Sequence, residues 1–433
     1  MSGYVKGIVN AKVVQPQGVM SVNVGIAGGR ISYLGPDTFP SRTGEILQAK
    51  GKYLLPGFID IHHHGVLGFD CSWGSYQRAT DAFVHERAAF QQSLARALAH
   101  CLSRGITGLL LTTMAAPFEQ LLLSLEWIRE FRLQYPQWQH LLAGINLEGS
   151  FIRDPAYAGA QNPAWFYEPG MQRIQQLQHA CGEVLKIVNL PPEHGRLAVE
   201  LTHELSKQGI VVAAGHSGAS YEQGMQAIEA GLKLGVHFLN GPSKSSTKPF
   251  GGGGLVEAML QSDAVSLELI VDGWHIHPAY VRDVLARKGP AGAIAITDSM
   301  FAGGLQGLRS FSLGGLKGAV SPGGDYLQLA GTADTLFGSI LSPDKGLQNL
   351  LNWLTQPMQG VWHRRHPALS LEEALIQASV MLSTNPARLL GWQHRGSLEC
   401  GKMADLLLLD IGQGSAGYEV KLEAVILAGR QLV

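Results

Sequence analysis

Pro56-Gly57-Phe58-Ile59-Asp60-Ile61-His62-His63-His64-Gly65 begins as an apolar run and ends on three consecutive histidines. In an extended strand, residues two apart project to the same side. His62 and His64 therefore share one face, and His63 takes the other. A short run that is apolar on both faces belongs to a strand covered on both sides, as in a parallel sheet. Seven further runs of this type follow, so the set reads Leu54–Ile61, Ile106–Thr112, Leu141–Leu147, Val184–Leu190, Ile210–Ala214, Leu234–Leu239, Leu267–Val271 and Ala293–Thr297. Helical patterns separate them, among them Phe83–Ser103, Phe118–Gln134, Leu197–Lys207 and Tyr221–Ala230. Eight strand–helix units in series predict an α/β fold, a (β/α)8 TIM-type barrel. An open doubly wound sheet is the rival.

The flanks differ in texture. Residues 4–55 alternate apolar and polar positions between glycine turns, and the pattern returns in Ala404–Asp410 and Ala424–Leu427. The two ends are expected to form one small β-sandwich domain, 1–55 with 392–433, beside a barrel domain spanning 56–391. Residues 301–345 read as a glycine-rich, partly β excursion, after which Pro343–Leu354 and Leu371–Leu382 resume a helical pattern.

Barrel enzymes carry their chemistry at the C-terminal ends of the strands. Here those ends read His62-His63-His64, Glu148-Gly149, His216-Ser217, His237, Asp272-Gly273-Trp274-His275-Ile276-His277 and Asp298-Ser299. A single His-x-His pair is weak evidence and is as well explained by a polar turn. Imidazoles and carboxylates at so many matching ends point instead to a metal centre built from His62, His64, Glu148, His216 and His237. Such donors suit one or two divalent ions, zinc, iron, nickel or cobalt, and do not choose among them. Asp298 is expected to be the catalytic acid/base beside the metal, although an aspartate there would also serve as a helix N-cap. His275 is assigned to substrate and His277 to structure. Lys186, in the fourth run, is read as structural or as a bridging ligand, a task Glu148 can also perform.

Composition narrows the class further. With 33 basic and 34 acidic side chains, net charge −1, the chain has no electrostatic footprint for nucleic acid or an anionic membrane. No apolar stretch approaches the roughly 20 residues of a membrane span. Four scattered cysteines without a CxxC pair suit a reducing compartment, so a cytoplasmic location is expected.

The segment 56–65 resembles the opening signature of the amidohydrolase superfamily, and within it the N-acetylglucosamine-6-phosphate deacetylase family. Asn146–Phe151, Ala214–Ser217, Val236–Asn240, Asp272–Pro278, Thr297–Met300, Leu336–Ser339, Ser383–Gly391 and Gly401–Leu406 extend the likeness in order along nearly the whole chain. The resemblance implies a metal-dependent deacetylase acting on a small N-acetylated substrate, with Glu148, His216 and His237 on one ion, His62 and His64 on a second, and a homodimeric assembly. It also implies that Asn240, Gly241 and His275 meet the substrate. The chain departs from the family in three places. Gln161 stands where a substrate histidine is usual, Gly241-Pro242 replaces Ala-Met, and the phosphate-binding Arg-Glu-Pro-Gly segment is missing, with Lys244 and Lys248 nearby as substitutes for the arginine. These departures keep two alternatives open: an amidohydrolase for a non-phosphorylated N-acetyl sugar, an N-acyl amino acid or a cyclic amide, and an inactive barrel used as a scaffold.

Overall fold

The structure is a computed structural model that describes residues 3–37, 45–241 and 252–432. Eight parallel strands lie side by side in chain order: Phe58–His63, Ile106–Thr112, Leu142–Leu147, Leu185–Asn189, Val211–Ala214, Leu232–Gly235, Ser266–Ile270 and Ala293–Ile296. The first and eighth are joined just beyond the end of the eighth. Asp298 N–H donates to the His62 carbonyl (2.9 Å), and His64 and Gly65 N–H donate to the Ser299 carbonyl (2.9 and 3.0 Å). These bonds close the sheet into a barrel and exclude the open arrangement.

Strand alternation explains why the runs are apolar throughout. Ile59, Ile61, Leu110, Ile187, Val211, Ala213, Leu234, Ile270, Ile294 and Ile296 fill the barrel interior. Their neighbours Phe58, Leu109, Leu111, Val188, Val212, Leu267, Leu269, Ala293 and Ala295 join the helices in the outer layer. Each buried Leu, Ile or Val contributes about 1.5–3 kcal/mol relative to exposure. Two continuous apolar layers can therefore offset several buried polar groups at one end of the barrel.

Among the described residues, five strands from the N-terminal part and three from the C-terminal part make a single eight-stranded sheet, branched at Val5–Gln15. Its Leu54, Leu406, Leu408, Ala424 and Ile426 face a core of the sheet's own, with Ile8, Val13, Val24 and Ile31. Leu55, Leu407, Leu409, Val425 and Leu427 point the other way, into the outer layer of the barrel.

Some boundaries differ from the sequence expectation. The run Leu54–Ile61 is two strands: Tyr53–Pro56 belongs to the terminal sheet and Phe58–His63 to the barrel. Gly57 makes the handover, because a Cβ there would lie 2.1 Å from Thr107 Oγ1. The sixth strand ends at Gly235, not Leu239; His237 and Leu239 have φ of 23° and 73°, which breaks the extended backbone. The first helix starts at Arg87, since Phe83 lies in a short strand, Ala82–Val84, and its ring packs on Tyr76 and Phe301. The helix Leu371–Ser379 passes through a wider turn, Val380–Thr384, before Pro386, where Ser383 Oγ donates to the Gly57 carbonyl (3.0 Å). The 301–345 excursion contains a three-stranded antiparallel sheet, Ser310–Leu313, Leu316–Val320 and Leu327–Leu329.

A buried ion pair joins the two sheets. Arg395 Nη2 donates to Asp405 Oδ2 (2.8 Å) and to the Thr107 carbonyl (2.6 Å). His140 Nε2 and the Ala428 N–H also reach the Asp405 carboxylate, each at 2.9 Å. Burial alone would raise the Asp405 pKa, but Arg395, His140 and the Ala428 N–H together hold it below the ordinary carboxylate range. A group depressed in this way stabilises the fold fully above its unfolded pKa of about 3.9, and the contribution is lost as pH falls through the folded value. Asp405→Asn should therefore cost about 3 kcal/mol at pH 7, because it strands a buried guanidinium. It should also flatten the loss of stability on acidification below about pH 4. Urea titrations of both proteins between pH 7 and 3 measure this, and coincident curves would show that the pair contributes nothing.

Candidate metal centre and active site

Glu148 follows the third barrel strand, and its parity points it inward, opposite to Ile145 and Leu147. It is 2 % exposed, so its charge needs partners. Oε1 lies 3.0 Å from His237 Nε2, 3.3 Å from His216 Nε2 and 3.7 Å from His62 Nε2. Oε2 lies 3.5 Å from His64 Nε2 and accepts from Gln161 Nε2 at 3.1 Å. Two clusters of candidate ligands result, His62–His64–Glu148 and Glu148–His216–His237, with Glu148 common to both.

The histidines reach this point through irregular backbone. Along the first strand Ile59 and Ile61 face inward, so strict alternation would turn His62 outward. The pairing with the second strand instead slips, from Leu109 opposite Asp60 to Leu111 opposite His63. The extra residue is a bulge, which re-aims the side chains beyond it. His62 and His64 turn inward. His63 faces the first helix, with Nε2 3.5 Å from Cys101 Sγ and Nδ1 3.2 Å from Thr297 Oγ1. His216 and His237 adopt left-handed φ of 51° and 23°, as does Asp298 at 51°. Such residues cost on the order of 1–3 kcal/mol each and persist where the surroundings fix them. Gly149 and Gly241 make room. A Cβ on Gly149, at φ 84°, would meet Ala115 N at 2.4 Å, and one on Gly241 would meet His237 Cε1 at 2.8 Å.

Asp298 completes the floor. Its Oδ1 is 3.1 Å from His64 Nε2 and 3.6 Å from His62 Nε2. Burial acts to raise its pKa, but the His64 hydrogen bond and the nearby His62 and His237 rings outweigh it and leave the carboxyl below its usual range. Glu148 is held well below the carboxylate range by the same balance, with His62, His216 and His237 overcoming burial. His62 is raised well above the imidazole range, because Glu268 and Glu148 overcome its burial.

The donor set fits divalent ions. His62 Nε2 and His64 Nε2 face each other at 3.3 Å, and one proton or one ion can satisfy both lone pairs. The Nδ1 atoms of His62 and His216 are already engaged, by Glu268 Oε2 (3.0 Å) and the Tyr157 carbonyl (2.9 Å). That arrangement leaves each Nε2 free as a donor atom, as metal-binding histidines require.

Above this floor lies a cavity of about 440 Å³, lined by His64, Glu148, His216, His237 and Asp298 among others. Asn240 and His275 also line it. Asn240 Nδ2 is buried with no partner among the described residues, and His275 Nδ1 is held by Asp272 Oδ2 at 2.7 Å. Gln161 lines the cavity as well, but its amide is engaged at both ends, by Glu148 and by the Ala115 N–H (2.7 Å). His277 caps the helix Pro278–Lys288 by accepting the Ala279 N–H. Lys186 Nζ donates to the Glu183 carbonyl, away from the cluster. Lys244 and Lys248 lie outside the described residues.

Sequence reasoning missed Glu268. It is fully buried, and its Oε2 accepts from His62 Nδ1 and from the His237 N–H, each at 3.0 Å. The available signal was a lone carboxylate inside the apolar run Leu267–Val271.

No family model matches the chain. It is 31% identical to the N-acetylglucosamine-6-phosphate deacetylase of Lysinibacillus sphaericus, over 84% of this chain and 83% of that protein. It is 30% identical to the N-acetylgalactosamine-6-phosphate deacetylase of Escherichia coli O157:H7, over 85% and 86%. Among solved structures, it superimposes on the Mycobacterium smegmatis N-acetyl-D-glucosamine-6-phosphate deacetylase, a variant in complex with N-acetyl-D-glucosamine-6-phosphate, with a TM-score of 0.79. That match has 27% identity and covers 100% of this chain and 99% of the other. A barrel closed at Asp298, a carboxylate shared by two histidine pairs and this likeness over most of its length agree: the chain belongs to the N-acetylglucosamine-6-phosphate deacetylase family of the amidohydrolase superfamily.

Proposed function

We propose that the protein is a metal-dependent deacetylase that hydrolyses the N-acetyl amide of N-acetylglucosamine-6-phosphate, releasing acetate and the amino sugar. One observation carries the reading: Glu148 is shared by two histidine pairs, with Asp298 beside them, at the floor of a cavity large enough for a sugar. The names of the relatives supply the substrate. Retention of every candidate ligand argues against an inactive scaffold.

His62, His64 and Glu148 would hold one ion, and Glu148, His216 and His237 a second, with zinc proposed ahead of iron, nickel or cobalt. An ion held there supplies Lewis acidity, which acidifies a bound water and polarises the acyl carbonyl. The protein supplies the proton transfers. Asp298, ionised at neutral pH because its pKa is lowered, accepts the proton of the attacking water at a carboxylate oxygen and returns it to the nitrogen of the leaving amine. The Asn240 amide, without a partner among the described residues, is a donor for a substrate oxygen, and Asp272 holds the His275 ring at the cavity wall.

The 6-phosphate calls for a cation. Among the described residues no lysine or arginine lines the cavity. Lys244 and Lys248, which follow Gly241 closely in the chain, are the proposed partners. They would act as point charges without arginine's bidentate grip. The likeness to an N-acetylgalactosamine-6-phosphate deacetylase favours a second reading, the C4 epimer as substrate. On this account the catalytic barrel domain, expected over 56–391, begins at Gly57, because Pro56 pairs within the small sheet domain formed with 392–433. A cytoplasmic homodimer is proposed from the family resemblance and from four cysteines that are all free. Among the described residues no helix is long and apolar enough to cross a membrane.

Acetate release should be strong from N-acetylglucosamine-6-phosphate and weak from the unphosphorylated sugar. Preference for the galactosamine epimer would select the second reading, and activity on none of the three would refute the substrate class. Asp298→Asn should keep its metal and lose roughly 10²–10⁴-fold in kcat; near-normal turnover would remove its assignment. Glu148→Gln should purify folded by circular dichroism but without stoichiometric metal by elemental analysis. Full metal content in that variant would contradict the shared-carboxylate centre.

A further inference from the structure

Glu268 does not line the cavity, nor does it belong to either cluster of candidate ligands. It stands in the seventh barrel strand with Leu267 and Leu269 facing the outer layer, so its own side chain enters the barrel interior. It is 0 % exposed. A carboxylate so placed is unfavourable unless its partners compensate it, and an apolar residue would suit the strand better. Its partners are therefore informative. Both are made by one oxygen, Oε2, which accepts from His62 Nδ1 and from the His237 N–H, each at 3.0 Å. His62 belongs to one ligand cluster and His237 to the other.

We infer that Glu268 is a positioning residue that sets both halves of the metal centre from behind. The inference rests on the reading that the two clusters hold ions. By accepting from Nδ1, Glu268 holds the His62 ring so that Nε2 faces His64 and Glu148, and with an ion bound at Nε2 the ring's one proton stays on Nδ1. A carboxylate behind an imidazole also makes the ring a better donor. By accepting from the His237 N–H, the same oxygen pins the backbone where φ is 23° and the sixth strand has ended. The two halves are thus tied twice, in front by Glu148 and behind by Glu268. A displacement of either histidine pair is resisted by the other.

The experiment compares wild type, Glu268→Gln and Glu268→Leu for bound metal after dialysis, by elemental analysis, and for metal affinity by chelator competition. Melting temperature is followed in parallel. Glutamine keeps an acceptor but loses the charge; leucine loses both. Glu268→Leu is expected to weaken binding at both halves, and most at the His62 half, by roughly 10–100-fold, because there a ligand ring itself loses its partner, and to leave the dialysed protein with one ion where wild type holds two. Glu268→Gln should fall between them, about tenfold weaker than wild type, with KM unchanged because no substrate contact is lost. A residue that merely fills the core would lower the melting temperature without this split in metal content. Wild-type affinity in Glu268→Gln overturns the inference, even where the leucine variant fails to fold. So does a wild type holding one ion whose affinity neither variant changes. A wild type that binds no ion overturns the metal reading itself, an outcome distinct from two ions retained in all three proteins.

Discussion

The structure depends on one buried carboxylate whose two oxygens must serve four imidazoles. Glu148 is placed by strand parity, but His62, His64, His216 and His237 come from the first, fifth and sixth strands, up to 175 positions apart in sequence (62 to 237). Only a closed barrel brings those strand ends around one point. The closing hydrogen bonds run through the same residues: the His62 carbonyl takes the Asp298 N–H, and the His64 N–H reaches Ser299. Closing the fold and assembling the site are one event.

That arrangement is locally unfavourable. Several ionisable groups are withdrawn from water, and three of the residues involved, His216, His237 and Asp298, hold left-handed backbone. The two apolar layers offset this cost, the interior of Ile59, Ile61, Leu110, Ile294 and Ile296 and the outer layer against the helices. The terminal sheet adds a third contact through Leu407, Leu409, Val425 and Leu427, and the Arg395–Asp405 pair fixes its position on the barrel. Strain is concentrated at the candidate site, while the packing that compensates it is spread over the molecule.

The barrel was legible in the sequence because both faces of each strand are buried, which leaves continuous apolar runs in place of alternation. The candidate ligands were legible because an imidazole or carboxylate at the end of such a run has no reason in packing. The features that escaped depended on single backbone angles or on contacts across the barrel. The bulge that turns His62 inward has no residue signature, and alternation from Ile61 would have placed it outside. The end of the sixth strand at Gly235 was hidden by the apolar residues just after it. Gly57 looked like part of one long run until Thr107 was seen against it. Gln161 shows a different limit: its type and position suggest substrate, while its amide is taken up by Glu148 and Ala115, partners far away in sequence or set by the fold. Glu268 was visible as a carboxylate out of place, and only the structure showed which groups it holds.

The measurement that tests the central claim most directly is anomalous scattering from crystals of the protein as purified, collected across the absorption edges of zinc and iron. The account predicts peaks on both sides of the Glu148 carboxylate, one beside His62 and His64 and one beside His216 and His237. A protein that releases acetate from its substrate while showing no peak at Glu148 would contradict it.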